Sequence, residues 1–410
     1  MICISRFYWV IIAGCFSLCG SVWALDVTVG VESNLYLEEK FHDKSESFTY
    51  FLNLKGETYL DDYQRIGAEV DLYDDDIGRL RRKVNVAELK WSYYANAWEI
   101  NAGIDTVFWG VLESENLVDV INQRDYIRDS DGDFKLGQPL VNFRYIGNLG
   151  TFDLYVIPYF IPRSFANTDQ LLSLPIPIDD NDPVYESNAE DRRVDGAIRY
   201  FNSFGDLDVG LSHFSGTSRT PQLLLDSSGG PGALKFVPFY QVIEQTGVDL
   251  QYILGDVAYK FETIYQNSSS ESHFLMGLGL EYPFFGVFDS KVDINLFFEY
   301  LFDDRGDDAD GVLEHDYVAA LRFNWNDEYS TVTTLKTVYD DNSNESVIVL
   351  EHSQRIDKDF FLQIDCHIYS SDDVDVDTVP GLISSLSNRS QKLRYFNRHD
   401  YLTLGIEYRY

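Results

Sequence analysis

Apolar and polar positions alternate with a period of two along most of this chain. The last nine residues, Leu402-Thr403-Leu404-Gly405-Ile406-Glu407-Tyr408-Arg409-Tyr410, show it most clearly. Leu402, Leu404, Ile406, Tyr408 and Tyr410 are apolar or aromatic, and Thr, Gly, Glu and Arg stand between them. That spacing builds a strand with one greasy and one wet face. A soluble edge strand can alternate in this way, but it seldom carries five such positions and ends on a ring. Similar segments recur from Asp26 onward. They predict strands over 25–38, 46–58, 63–73, 83–94, 97–108, 139–147, 151–161, 192–202 and 206–214. The second half predicts 243–254, 256–265, 272–282, 287–301, 315–326, 328–339, 345–354, 358–370 and 397–410, for a total of 18. No linker rich in Pro, Gly or Ser interrupts them, so 25–410 reads as one domain.

The connections sort by parity. Tight ones include Ala95-Asn96, Asn148-Leu149-Gly150, Ser203-Phe204-Gly205, Gly255, Asn326-Asp327 and Asp357, whereas 109–138, 162–191, 215–242, 302–314 and 371–396 are long. A soluble β-sandwich has no reason to alternate its loops, whereas a transmembrane barrel puts short turns at one end and long loops at the other. After residue 24 no run approaches the roughly 18–20 apolar residues of a spanning helix. The best candidate, Phe274 to Phe288, is broken by Glu281 and Pro283. A chain of this kind crosses lipid only as a closed sheet. The expected fold is an all-β, antiparallel, up-and-down transmembrane barrel of about 18 strands, with 16 as the alternative.

Phase then assigns faces. Val292, Ile294, Leu296, Phe298 and Tyr300 are expected to meet lipid, as are Tyr317, Ala319, Leu321, Phe323 and Trp325, and Trp98, Ile100, Ala102, Ile104 and Phe108. The opposite phase lines a lumen that an 18-strand circumference leaves too wide for side chains to fill. Glu69, Asp71, Glu99, Asp105, Asp249, Glu262, Asp293, Glu299 and Asp365 fall on it with Arg199, Lys260 and Arg322. Counted over all the strands, acids exceed bases there by about two to one, as a water-filled interior permits. These charges can pair across strands and stiffen the wall, while the surplus acids set a negative field.

The beginning of the chain and its composition fit export. Arg6 precedes a mostly apolar run from Phe7 to Leu18, and Val22 and Ala24 are small or short residues before a cut after residue 24. Residues 1–24 therefore read as a secretory signal. Ile12-Ala13-Gly14-Cys15 offers a competing lipoprotein box. Of four cysteines, Cys3, Cys15 and Cys19 leave with the signal, so Cys366 alone cannot make an intramolecular disulfide. A net charge of −35 argues against nucleic acid as a partner. The 15% aromatic content suits rings at membrane interfaces.

Taken together, the terminal strand, the loop parity and the aromatic content resemble Gram-negative outer-membrane β-barrels of porin type. The resemblance covers 25–410 and is architectural. It implies an outer-membrane location among lipid and lipopolysaccharide, and a terminal strand (Leu404, Ile406, Tyr408, Tyr410) read by the barrel-assembly machinery. It also implies passive diffusion of small hydrophilic solutes and a possible homo-oligomer, while the surplus of inward acids adds a leaning towards cations; no cofactor, metal or enzymatic activity is expected.

Three segments carry candidate chemistry. In 109–138, the third outer loop counting the two shorter ones before it, Leu117, Val118, Val120 and Ile121 are too apolar for a loop in water. An amphipathic helical turn folded against the inner wall would explain them, as in general porins. Glu113, Glu115 and Asp119 would then oppose Arg124 and Arg128 across an aperture. A cap on the rim or a subunit contact is the other reading. Asp129-Ser130-Asp131-Gly132-Asp133 matches half of a calcium loop without its distant Glu, and reads equally as a solvated turn. Asp303 to Asp310 is a second acidic loop, suited to divalent bridging of lipopolysaccharide or to plain solvation. Finally, His213 and Ser215 share the outward phase with Glu244, and resemble the His-x-Ser pair of outer-membrane lipid hydrolases.

Overall fold

The structure is a computed structural model, and it describes residues 24–37, 46–78, 80, 82–167, 174, 176–228, 234–309, 313–372, 389–394, 396 and 399–410. The expected signal, 1–24, lies outside these apart from Ala24. No α-helix occurs among the described residues, and no helix is long and apolar enough to cross a membrane.

In chain order the strands begin with β1 (Ala24–Tyr36), β2 (Glu46–Asp61), β3 (Gln64–Asp75), β4 (Val84–Tyr94), β5 (Trp98–Asp105), β6 (Gln138–Gly147) and β7 (Gly150–Ile157). There follow β8 (Val184–Tyr185), β9 (Asp195–Phe204), β10 (Leu207–Thr217), β11 (Gln222–Asp226), β12 (Lys235–Tyr240), β13 (Val242–Leu254) and β14 (Val257–Ser268). The last are β15 (Ser272–Phe284), β16 (Asp293–Asp303), β17 (His315–Asn324), β18 (Val332–Asp340), β19 (Ser346–Arg355), β20 (Phe360–Ser370) and β21 (Tyr401–Arg409). Eighteen of them form one sheet; β8, β11 and β12 form a separate three-stranded sheet. Each barrel strand is antiparallel to its sequence neighbours in the sheet. β21 pairs with both β20 and β1, which closes the sheet on itself. Closure removes the unpaired edge that would otherwise invite aggregation or leave polar backbone in lipid.

The closing seam carries the alternation read from the sequence. Val29 lies opposite Tyr408, Val31 opposite Ile406 and Ser33 opposite Leu404. Tyr410 and Val27 exchange backbone hydrogen bonds of 2.8 and 3.1 Å beyond the last ladder residue. Leu404 and Ile406 are exposed on the outer surface while Glu407 is buried inside. Large exposed apolar side chains on neighbouring strands, including Leu89, Ile198, Leu278, Phe298, Leu335 and Ile348, continue this belt around the barrel. Exposed rings mark its two borders: Tyr50, Tyr265, Tyr317 and Tyr339 towards the long connections, and Trp98, Tyr145, Tyr252 and Trp325 towards the tight turns. We call these the upper and lower ends.

Several boundaries differ from expectation. The segment expected as 287–301 begins as a strand only at Asp293, because Val287–Asp289 forms a 3-10 turn with Gly286 and Phe288 in the left-handed region. The strand expected over 97–108 stops at Asp105. There Asn122 takes over the backbone, accepting from Val107 N–H (2.8 Å) and donating to the Asp105 carbonyl (3.0 Å). At the upper end β14 and β15 are joined by only three residues, 269–271, so length does not mark every upper connection. The small β8-β11-β12 sheet lies within connections expected to be irregular.

We expect deletion of Tyr408 to Tyr410 to destroy closure, because it removes the last register pairs with β1. Electrophoresis of unheated against boiled protein reads this directly: the intact barrel migrates faster unheated, and the truncation should show only the boiled position. A truncation that keeps the fast form would refute the role of this seam.

Candidate functional site

The connection from β5 to β6, residues 106–137, folds into the barrel. Apolar side chains provide the seat. Val118 and Ile121 are fully buried and pack with Trp109, Leu140, Tyr155, Phe214, Ile243 and Ile264, while Leu112 packs with Leu301 and Val318. Burying such a side chain contributes roughly 1.5–3 kcal/mol. The inner wall beneath the loop is therefore partly apolar, with Glu262 and Glu299 set among the apolar side chains. Glycines make room beneath the loop: a Cβ on Gly277 would lie 2.3 Å from Leu112 Cδ1, and one on Gly247 would lie 2.8 Å from Val118 Cγ1.

The expected helical turn does not form. Its backbone finds other acceptors. Glu262, on β14, accepts N–H groups from Val111 (2.5 Å), Leu112 (3.1 Å) and Val118 (3.3 Å). Glu299, on β16, accepts those of Glu113 (2.7 Å) and Ser114 (2.9 Å), and the Ser114 hydroxyl as well. Two wall carboxylates thus replace the i→i−4 carbonyls that a helix would supply.

Nor do the loop charges oppose each other across a gap. Glu113 reaches the wall bases Lys260 (2.9 Å) and Arg322 (3.4 Å). Arg124 pairs within the loop, with Asp119 at 3.3 Å and Glu115 at 3.7 Å, and Lys135 also contacts Asp119. Arg128 pairs with Glu32 of β1 in bidentate fashion, at 3.1 and 2.8 Å, with its guanidinium 4.7 Å from the Tyr73 ring centroid. In a water-poor interior each charge gains most from the nearest partner, so a field stretched across an aperture gives way to local pairs.

The rest of the wall is likewise knitted together. Glu69 accepts from Lys55 (2.8 Å), and Asp71 from Asn53 (2.7 Å) and Asn85 (3.1 Å). Lys90 pairs with Asp105 at 2.7 Å, Arg144 with Glu99 at 3.1 Å, and Arg199 with Asp249 at 2.8 Å. Asp293 serves the lower turn, accepting from Gly286 N–H (2.8 Å) and Asn326 Nδ2 (2.7 Å). Asp365 lies 3.0 Å from His367.

The tip of the loop crosses to the far side. Ser130 shares a 2.7 Å hydrogen bond with the Tyr401 hydroxyl, and Asp131 pairs with Lys336 of β18. Gly132, with φ +78, makes the turn. Among the described residues no group of three or more potential ligands is placed to hold a metal ion, and Asp131 is occupied by Lys336. Between this tip and the wall of β18 to β21 and β1 lies a cavity of about 390 Å³. Glu32, Asp129, Asp131, Asp133, Glu351 and Asp365 bring six carboxylates to its lining, and Arg128 brings one guanidinium. Burial, reinforced by Asp131 and Asp133, pushes Asp129 up to about 6. Asp365 and Arg128 stood among the candidates, as did Asp129, Asp131 and Asp133 in another role, as half of a calcium loop; Glu351 did not. Spacing along a loop says nothing of which wall its tip meets, so their meeting was hidden.

Above, Arg219 donates to the Ile121 carbonyl (2.9 Å) and pairs with Asp195 (3.2 Å), while the β8-β11-β12 sheet packs its Tyr240 on Phe160. In the acidic loop at Asp303, that residue pairs with Arg305 at 2.7 Å; Asp310 lies outside the described residues. The outward residues of β10 and β13 form no triad: His213 Nδ1 lies 2.9 Å from Thr246 Oγ1, and Glu244 stands opposite Ser215 in the ladder instead.

No protein-family model matches the chain, and no curated protein matches it in sequence. Solved structures do. The outer-membrane protein Wzi of Escherichia coli, described as a carbohydrate-binding β-barrel involved in group 1 capsule assembly, shares 11% identity with a TM-score of 0.51, over 97% of this chain and 86% of that one. The outer-membrane protein OmpT of Vibrio cholerae, in trimer form, gives 9% and 0.44 over 96% and 100%. A mutant Rh. blastica porin gives 10% and 0.43 over 95% and 100%. What this chain shares with Wzi is the fold, a closed barrel of outer-membrane type.

Glu262→Gln and Glu299→Gln keep side-chain shape but remove charge from the loop's acceptors. Each should lower stability against urea in micelles by about 1–3 kcal/mol, the worth of charge-assisted hydrogen bonds. Glu244→Gln, on the outer surface, should change nothing. Equal midpoints for all three would show that the loop does not hang on these carboxylates.

Proposed function

We propose that this chain is a channel of the Gram-negative outer membrane through which small hydrophilic solutes diffuse passively, cations more readily than anions. One observation carries the reading: the cavity between the loop tip and the β18–β21 wall, with six carboxylates to one guanidinium on its lining. Glu32 is paired with Arg128 and Asp131 with Lys336, which leaves Asp129, Asp133, Glu351 and Asp365 without a Lys or Arg partner on the lining, whereas elsewhere the loop's charges are neutralised in pairs. In a low-dielectric enclosure a net negative lining concentrates cations and repels anions. Lipid and lipopolysaccharide surround the belt, the barrel-assembly machinery inserts the chain through β21, and copies can associate through the outer surface.

A specific observation also favours a second reading. The loop touches β14, β16 and β18 and reaches on to β21 and β1, so along this arc of the wall it can seal the lumen and leave a structural or adhesive barrel. Conductance separates the two. In planar bilayers under a KCl gradient the channel should give a reversal potential of cationic sign. That potential should shrink as salt rises, since the Debye length falls from about 30 Å at 0.01 M to about 3 Å at 1 M. It should shrink also as pH drops through about 6, where Asp129 takes up its proton and one negative charge leaves the lining. Glu351→Gln with Asp365→Asn should weaken it at neutral pH. Chloride preference would refute the charge assignment, and a barrel that never conducts would promote the sealed reading.

A further inference from the structure

We infer that Arg128 and Glu32 form a releasable latch that positions the tip of the inward loop and so regulates the passage proposed above. The two halves of the loop are held by different forces. The first half, through Ile121, is embedded: Leu112, Val118, Val120 and Ile121 are buried, and Glu262 and Glu299 hold its backbone. From Arg124 to Lys135 no apolar side chain is buried. That half is held by polar and ring contacts. Arg124 and Lys135 pair with Asp119 inside the loop and Phe134 stands edge-on to Tyr73 at 5.5 Å, while the tip itself meets the wall through the bidentate Arg128–Glu32 pair, the Asp131–Lys336 pair and the Ser130–Tyr401 hydrogen bond.

Of these, the Arg128 pair is the strongest by chemistry. It is bidentate, and its side chains are only 19% and 10% exposed. The guanidinium also lies against Tyr73, on the strand two places along from β1. Both members line the cavity, and the pair fixes the tip to β1, next to the β21 end of the wall that Asp131 and Ser130 reach. Removing one partner leaves the other charged and shielded from water, which favours movement of the tip into solvent over staying put. The embedded half does not move with it, since its backbone bonds and apolar contacts are untouched. The latch is thus a positioning device, and because Glu32 is also one of the lining carboxylates, the tip label reads its release independently of the charge it removes.

The effect on conductance rests on the channel reading, whereas the release of the tip does not. The test therefore reads both. A nitroxide placed at the exposed position 133, as Asp133→Cys with the native cysteines replaced by Ser, reports tip mobility by its spectral line shape. The same proteins are recorded in planar bilayers. Glu32→Gln should narrow the line and raise the released population about tenfold or more, the change that each 1.4 kcal/mol brings. It should also add steps of higher conductance. Arg128→Lys, which keeps the charge but not the fork, should fall between wild type and Glu32→Gln. Faster migration before boiling confirms that each variant is a closed barrel, and Glu244→Gln should match wild type throughout. An immobile label in both latch variants would overturn the inference. A mobile label in a barrel that never conducts would uphold the latch and overturn the channel.

Discussion

A backbone that leaves a sheet and runs through the inside of a barrel has N–H groups that must find acceptors. Where water is scarce the cost of leaving one unpaired is of order 1–3 kcal/mol. Glu262 and Glu299 meet this demand for residues 111 to 118, taking five N–H groups and one hydroxyl between two carboxylates. Everything inside the barrel follows from that. Because the backbone is held from the wall, the loop needs no helix to satisfy itself. Because it needs no helix, Leu112, Val118 and Ile121 can each point where the wall has a recess, beside Gly277, Gly247 and Ile264. The loop is anchored early and runs on to reach the opposite side.

The outer wall obeys a simpler constraint. Lipid accepts no charge at mid-depth without a cost of roughly 2–4 kcal/mol, so one phase of every spanning strand must be apolar. This is why the barrel could be read from the chain. The period of two in Leu404, Ile406 and Tyr408 survives into the seam with β1, and loop parity follows from antiparallel pairing in a closed sheet. All eighteen strands lay where alternation put them, to within a few residues. The failures came where alternation stops being enforced. Val287 to Asp289 has the right phase for a strand, yet Gly286 and Phe288 turn the chain beneath the belt, where no lipid demands a ladder.

Inside, no comparable rule applies, and the sequence was correspondingly less legible. The apolar run Leu117 to Ile121 announced a buried loop, but which wall would bury it was written elsewhere, in the inward phases of β10, β13, β14 and β15. Phe214, Ile243, Ile264 and Leu275 occupy lumen-facing positions that a wholly polar interior would not tolerate. Gly277 and Gly279, on the same phase, leave room for Leu112. An apolar inward patch paired with an apolar loop is a signal that was available. The partners of Glu113 and Arg128 were not. Lys260, Arg322 and Glu32 lie far from them in sequence, and only closure brings them together.

The same geometry changes how the acidic surplus should be understood. Counting inward carboxylates treats each as a source of field, yet they do three different jobs. Some, such as Asp105 and Asp249, are neutralised by a base within 3 Å. Glu262 and Glu299 face N–H dipoles, which offset part of their charge at close range and fix its position. A third set, Glu351, Asp365, Asp129 and Asp133, surrounds an open cavity and has no Lys or Arg ion-pair partner there. Potential accumulates where charge is neither paired nor solvated by bulk water. It follows that the field of this barrel belongs to one side of its lumen, the side that the loop tip faces. The acids that hold the first half of the loop, Glu262 and Glu299, and the unpaired acids that charge the passage are different residues. Substitutions in the first set should change the shape of the lumen, and those in the second its preference between ions.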